Sequence, residues 1–190
     1  IVRGNARVFG SAKVRDDACV SGYAKVHGNA VISDKAYVYN NAEIEGKAVV
    51  RGHSIVECAA KVFDDAIVEG NSNVYGHAKI HGHAHVTDNA IVRGNAEVRG
   101  DSRVEGNAIL EGKALIDGDA RVLHDIHNSK VQYIKGSDYT ATVDGDYINI
   151  KNNSFTPDDW LMVIDEWDMD SFKKAEYKGI ILFLKNTYMS

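Results

Sequence analysis

Four of the eight histidines in this chain crowd into one short segment. The run YGHAKIHGHAHV contains His77, His81, His83 and His85. Imidazole is the side chain best suited to general-base catalysis near neutral pH, and it is also a common zinc ligand. Whether these rings can act together depends on the elements that hold them, because neighbours in sequence can point to different sides of a fold.

Other chemical signatures are missing from the sequence. It contains no Gly-rich phosphate loop, no Ser-His-Asp spacing and no Cys-x-x-Cys pair. The two cysteines, Cys19 and Cys58, are far apart in the repeat described below, so we predict free thiols of a reducing compartment. We therefore predict no cofactor and no bound metal.

Residues 1–123 follow a six-residue rule. Every sixth position from Val2 to Val122 is Val, Ile or Leu, and the position two residues earlier is Ala except where Ser54, Ser72 or Ser102 replaces it. Alternation along a strand points Ala and the aliphatic residue to the same side. The Gly, Asp or Asn that follows supplies the positive φ that a sharp corner needs. The rule thus predicts alternating short strands and corners.

Apolar residues also recur on the outward side at intervals of three repeats. They form two columns. The first contains Ile1, Cys19, Tyr37, Ile55, Ile91 and Ile109, with Asn73 as its one polar entry, and the second contains Val31, Val49 and Ile67. Three strands per coil predict a mainly β fold, a three-sided parallel β-helix of about seven 18-residue coils. We call its sides the first face (Tyr37, Tyr39), the second face (Lys25, His27) and the third face (Val31, Val49).

The three-sided model separates the clustered histidines. It places His77 and His83 at corners, His81 on the second face and His85 on the third face. These rings therefore wrap around the rod and do not converge on one site. We predict mainly solvated surface histidines, with a minor alternative in which His81 or His83 acts as a base or binds a metal.

The repeat resembles that of the hexapeptide-repeat proteins. Runs such as GNAEV, GHAKI and GNAIL are most similar to the regular, transferase-like bacterial repeat proteins without assigned activity, which also occur in phage-like genes. This resemblance covers about two-thirds of the chain, and it alone implies a left-handed parallel β-helix. It also implies that an enzymatic member would be an acyltransferase using a histidine near a subunit boundary.

Residues 124–190 depart from the rule and predict a small C-terminal α/β domain. We expect a boundary at 124–128, strands at 130–134, 139–143 and 147–150 with a turn at Asp144-Gly145, a helix capped by Thr156 at Pro157, and a second helix from Asp170 or Ser171 to about Asn186. Ile180 to Leu184 is apolar all round and predicts a buried helix segment. This βββαα segment either caps the last coil or recognises a partner through Asp165, Glu166, Asp168 and Asp170.

Composition narrows the function. The net charge is −5, and carboxylates interrupt the cations of the second face, so binding of nucleic acid is not expected. No apolar run is long enough for a membrane helix, and we predict a cytoplasmic protein. We predict a non-enzymatic scaffold that forms a dimer or trimer and that also binds another protein, the alternative being an acyltransferase with a site between subunits. The predicted interface lies on the first face at Tyr37, Tyr39, Ile55, Tyr75, Ile91 and Arg93.

Overall fold

A computed structural model describes residues 1–123, 126–127, 133–135, 140–144, 146–150 and 153–188. Parts of several predictions lie outside these residues: 124–125 and 128 of the expected boundary, 130–132 of the first expected strand, Tyr139 of the second, and Gly145 of the expected turn.

The repeat region is built from very short strands. In chain order they are β1 (Arg7–Val8), β2 (Lys13–Val14), β3 (Cys19–Val20), β4 (Lys25–Val26), β5 (Val31–Ile32), β6 (Tyr37–Val38), β7 (Glu43–Ile44), β8 (Val49–Val50), β9 (Ile55–Val56), β10 (Lys61–Val62), β11 (Ile67–Val68), β12 (Asn73–Val74), β13 (Lys79–Ile80), β14 (His85–Val86), β15 (Ile91–Val92), β16 (Glu97–Val98), β17 (Arg103–Val104), β18 (Ile109–Glu111), β19 (Leu115–Ile116), β20 (Arg121–Val122) and β21 (Ile126–His127).

Every third strand joins the same parallel sheet. In the described part of the chain the sheet of the second face consists of β1, β4, β7, β10, β13, β16 and β19. The sheet of the third face consists of every third strand from β2 to β20, and the sheet of the first face consists of every third strand from β3 to β21. Register partners such as Lys25 and Glu43 differ by one 18-residue coil. The predicted three-sided parallel β-helix is confirmed. Its first-face sheet continues past residue 123, because β21 pairs with β18.

The axis of the β-helix is filled by the residues that the six-residue rule singles out. From Ala18 to Val122 the inward alanines and aliphatic residues are almost completely inaccessible to solvent and form one continuous core. The three serines that replace alanine are also buried. Each donates its hydroxyl hydrogen to a carbonyl three residues earlier, as Ser54 does to Arg51 at 2.8 Å and Ser72 does to Glu69 at 2.7 Å. A hydroxyl is therefore tolerated in this core because its hydrogen bond is local.

The corners adopt the left-handed backbone conformation. Gly70 has a φ of +71°, and a Cβ on it would lie only 2.7 Å from the backbone N and O of Asp88 in the next coil. Where aspartate takes this place, its carboxylate accepts a hydrogen bond from the next corner, as Asp34 Oδ2 does from the Gly52 N–H at 2.9 Å. The non-glycine corners with φ between 55° and 58° are Asp16, Asp34, Asn40, Cys58, Asp64 and Asp88.

The C-terminal segment forms an antiparallel sheet and two helices. Its described strands are β22 (Tyr133–Lys135), β23 (Thr140–Asp144), β24 (Tyr147–Ile150) and β25 (Asn153–Phe155), paired in that order. Strand β25 was not predicted. Its sequence NSF shows no apolar alternation, and it is a strand because it pairs with β24.

The helices begin where their sequence caps predict. Helix α1 (Pro157–Val163) has Thr156 as its N-cap, and the Thr156 side chain accepts a hydrogen bond from the Asp159 N–H. A 3-10 turn (Ile164–Glu166) follows, and helix α2 (Ser171–Tyr188) begins after Asp170, whose carboxylate accepts from the Lys173 N–H at 2.8 Å.

Helix α2 is buried on one side only. Ile181 and Leu184 are completely buried in a core with Trp160 and Ile148, whereas Leu182 is 45% and Phe183 52% exposed. The prediction that the whole run Ile180–Leu184 is buried was wrong for Leu182 and Phe183, because a helix on the surface of a small sheet packs through one stripe. Asn149 Nδ2 of β24 donates to the Arg121 carbonyl of β20 at 3.4 Å, so this segment contacts the last coils.

The inward alanines leave no room for a larger side chain in the core of the β-helix. A substitution at Ala60 tests this assignment. Ala60→Leu adds three carbons where no solvent-accessible space exists, and we expect the free energy of unfolding to fall by about 1–3 kcal/mol. Chemical denaturation measures the loss. Ala59→Leu is the matched control, because Ala59 is half-buried at a corner where other coils carry Tyr23 and His77. Equal losses for both variants would contradict the inward assignment.

Candidate interaction face and ionisable clusters

The predicted interface residues of the first face lie in two parallel columns. Tyr37, Ile55 and Ile91 belong to the column of the strands β6, β9 and β15, in which Tyr37 pairs in register with Ile55. Tyr37 is 50% exposed, and the two isoleucines are half-buried by their neighbours. Asn73 pairs in register with both isoleucines, so this column is apolar except for one amide side chain.

The second column of the first face consists of polar side chains that bond to their neighbours in adjacent coils. We call it the polar ladder; it contains Tyr39, Glu57, Tyr75, Arg93 and Glu111. Arg93 donates from Nε to Glu111 Oε2 at 2.7 Å and from Nη1 to the Tyr75 hydroxyl oxygen at 3.2 Å. Burial, and then the adjacent Glu57 carboxylate, raise the pKa of Tyr39 above its ordinary value. The side chains of this column are thus held by their vertical neighbours.

The second face carries the same aromatic arrangement twice. Phe9 stacks on His27 with a centroid separation of 4.8 Å and an interplanar angle of 11°. Three coils further on, Phe63 stacks on His81 with a centroid separation of 4.5 Å and an angle of 6°. Stacking on one ring face restricts how the imidazole can rotate, so both histidines present a nitrogen edge in a defined direction.

The first of these two histidines, His27, faces two carboxylates. We call its surroundings the lower site and those of His81 the upper site. His27 Nε2 lies 3.5 Å from Glu43 Oε1 and 3.4 Å from Glu45 Oε2. One donor atom from each residue lies within 4.8 Å of the other two, and all three side chains are partly buried. This is an arrangement of possible metal ligands that the sequence analysis did not identify. The 18-residue repeat could have indicated this arrangement, because it places Glu45 one coil above His27 in the same column.

The upper histidine, His81, lies near two carboxylates and one guanidinium. Asp64 Oδ2 lies 3.8 Å from its Nδ1, and the other two groups lie at its Nε2 side. His81 Nε2 lies 3.1 Å from Glu97 Oε1, and Arg99 Nη1 lies 3.3 Å from the same oxygen. Arg99 also bonds Asp117 Oδ2 at 2.7 Å. The Glu97 carboxylate that faces His81 Nε2 is therefore already paired with a guanidinium.

The remaining clustered histidines lie on other parts of the surface. His85 belongs to the third face, where its Nε2 lies 2.8 Å from Glu69 Oε1. His77 and His83 are exposed at corners. His81 and His83, the two residues of the minor catalytic alternative, thus differ in environment, because only His81 of the two is stacked and half-buried in the part of the chain that the structure describes.

The acidic residues predicted to bind a partner divide into two pairs. Asp165 accepts from Lys178 Nζ at 2.7 Å, and Asp170 caps helix α2. Glu166 and Asp168 are exposed. Two of the four residues therefore have roles within the segment itself.

The sequence matches no model of a known protein family and no curated protein. Among the described residues, no helix has both the length and the apolar character needed to cross a membrane.

Glu43 provides an electrostatic test of the second face. Its hydrogen bond from Lys61 Nζ, at 2.7 Å, lowers the pKa of the carboxyl group below the ordinary value. We expect Lys61→Met to raise the pKa of Glu43, as measured by carbon-13 NMR of the side-chain carboxyl. A lowered folded-state pKa favours folding above the unfolded-state pKa, so this contribution to stability is lost as the pH falls through the folded-state pKa.

The matched control for Lys61→Met is Lys79→Met, which removes a cation one coil higher in the same column. A pKa of Glu43 that is the same in the wild type and in Lys61→Met would contradict the assigned ion pair.

Proposed function

We propose that this protein is a non-enzymatic scaffold of the hexapeptide-repeat class, a rigid rod that self-associates through its first face. The observation that supports this most directly is the partly exposed column of Tyr37, Ile55 and Ile91, interrupted only by Asn73, on an uninterrupted parallel sheet. Clustered apolar surface marks interaction sites on proteins.

The neighbouring ladder suits the rim of such an interface. Tyrosine and arginine are enriched where protein surfaces meet, and Arg93 and Tyr75 are already positioned by their contacts with each other. Side chains that are ordered before association lose less conformational entropy when the partner binds. A second copy of the chain is the partner that this proposal assigns to the first face.

The C-terminal segment is proposed to have two roles. Its contact with the Arg121 carbonyl supports a role in covering the end of the β-helix. Its exposed Glu166 and Asp168 offer negative charge to a basic partner protein, while Asp165 and Asp170 hold the helices in place. If the gene is phage-like, as the resemblance suggests, this partner is a host protein.

Self-association is tested by the mass in solution. We expect light scattering to give two or three times the monomer mass of 20.8 kDa for the wild type and 20.8 kDa for Tyr37→Glu/Ile91→Glu. These two positions lie three coils apart, so the new carboxylates do not repel each other directly. Both changes leave the inward core and the Arg93 ladder intact.

The matched control is Val31→Glu/Ile67→Glu, which places the same charges at half-buried apolar positions on the third face. We expect this variant to keep the wild-type mass. A monomeric wild type, or dissociation caused equally by both double variants, would reject the first face as the interface.

A second candidate function is an acyltransferase of the hexapeptide-repeat type whose site lies between subunits. The observation in its favour is that His81 is stacked on Phe63 and oriented by the Glu97 carboxylate, as a general base requires. His83, exposed at its corner, has less support as the base.

The two candidates differ in their response to an acyl-coenzyme A. For the scaffold we expect the midpoint of thermal unfolding to be unchanged by acetyl-coenzyme A, because no described side chain is assigned to that ligand. An upward shift that disappears in His81→Ala but persists in His85→Ala would favour the enzyme. His85 is the appropriate control, since it also bonds a carboxylate but lies on another face.

A further inference from the structure

The cluster of His27, Glu43 and Glu45 on the second face has the composition of a metal site. We propose that these three residues bind one divalent first-row transition ion, with Zn²⁺ as the representative case. Nothing in the proposed scaffold function requires this site, and it lies on a different face from the proposed interface.

The separations of the donor atoms support a metal site more than a set of hydrogen bonds. Hydrogen bonds between N–H and a carboxylate oxygen usually measure about 2.7–3.0 Å, whereas His27 Nε2 lies 3.5 and 3.4 Å from the two carboxylate oxygens. Ligands that each lie about 2.1 Å from a tetrahedral zinc ion are separated from one another by about 3.4 Å. Both separations from the imidazole therefore match those of two ligands of one zinc ion, and the donor atoms of Glu43 and Glu45 lie within 4.8 Å of each other.

Two neighbouring residues orient two of the three ligands, His27 and Glu43. Phe9 stacks on the His27 ring and limits its rotation, and the guanidinium of Arg7 lies 5.5 Å from the Phe9 ring centroid. Lys61 binds Oε2 of Glu43 and leaves Oε1 directed at His27. Outer contacts of this kind are what orient the ligands in established metal sites.

The second face contains a similar group of residues around His81, which can be compared with the proposed metal site. Three coils further on, Phe63, His81 and Glu97 repeat Phe9, His27 and Glu43, but Arg99 stands where the pattern places Glu45. The Arg99 guanidinium pairs with Glu97, so the upper site has a positive charge where the lower site has the negative charge of Glu45. Asp64 lies at the opposite ring nitrogen, His81 Nδ1, and does not take the place of Glu45. The second carboxylate at Nε2 is therefore the difference between the two sites.

The ligand set also determines the kind of ion. One imidazole and two carboxylates suit zinc, cobalt, nickel or manganese, whereas calcium prefers six to eight oxygen ligands and magnesium keeps most of its water. Three protein ligands from two adjacent coils leave the remaining positions of the ion to water. The two lysines in the same column, Lys25 and Lys61, reduce the negative potential, so we expect a moderate affinity.

Isothermal titration calorimetry of the full chain with Zn²⁺ tests the site. We expect one ion per chain for the wild type, with no heat of binding when Mg²⁺ replaces Zn²⁺. Both His27→Ala and Glu45→Arg should lose this binding, with a dissociation constant raised by more than about tenfold. His81→Ala is the matched control and should retain it, because His81 occupies the same position in the upper site, where Arg99 stands in place of Glu45.

The upper site allows a gain of binding to be tested. Arg99→Glu converts it to the ligand set of the lower site, and we expect the stoichiometry to rise from one Zn²⁺ to two. Adding His81→Ala to Arg99→Glu should return it to one. Circular dichroism and thermal unfolding check that each variant keeps the wild-type fold, as expected for changes confined to outward side chains.

Three results would overturn the proposal: a wild type that binds no Zn²⁺, binding that survives in both His27→Ala and Glu45→Arg, and binding that His81→Ala abolishes. A stoichiometry of one in folded Arg99→Glu would overturn the role given to the Glu45 carboxylate. The mass of each variant in solution is also measured without metal. A loss of Zn²⁺ binding can then be distinguished from a loss of self-association through the first face.

Discussion

The structure depends on the continuous backbone hydrogen bonding between coils that are 18 residues apart. The Lys25 N–H donates to the Ala42 carbonyl and the Glu43 N–H to the Ala60 carbonyl, at 2.9 and 3.0 Å, and the same bond recurs along each side. Strands of two residues are too short to be stable alone, so each coil is stabilised by the coils above and below it. This pairing is possible only if every corner turns within the same number of residues, which is why the left-handed corners are so regular.

A consequence of this register is that outward side chains form vertical columns rather than isolated surface positions. Residues 18 apart are direct neighbours at about the 4.8 Å spacing of paired strands. Ion pairs such as Arg51 with Glu69 and Arg93 with Glu111 follow from that spacing. Each exposed pair contributes little to stability. Together they hold the side chains of the faces in fixed positions, which is what a binding surface requires.

The two proposals assign different chemistry to different faces of the same rod. The first face combines apolar side chains with an ordered ladder and is assigned to a second copy of the chain. The second face repeats a stacked aromatic and histidine pair, and one copy of this pair faces two carboxylates. Because the β-helix core is filled by inward alanine, serine and aliphatic side chains, outward residues can vary without disturbing the fold. A rod of this kind can therefore carry separate sites on separate faces.

The sequence by itself determined the architecture of the repeat region. An uninterrupted series of aliphatic residues at every sixth position, with Ala two residues before and a corner residue two residues after, fixes which side chains point inward and where the chain turns. The N-caps of α1 and α2 could also be predicted from the sequence, because the Thr156 and Asp170 side chains accept hydrogen bonds from N–H groups only three residues later. Only the tertiary structure made β25 a strand and left Leu182 and Phe183 exposed, because both outcomes depend on which neighbour packs against them. The same holds for His27, Glu43 and Glu45. The column spacing places them on adjacent coils, but the donor atoms of His27 and Glu43 are oriented by Phe9 and Lys61, which are themselves a coil away.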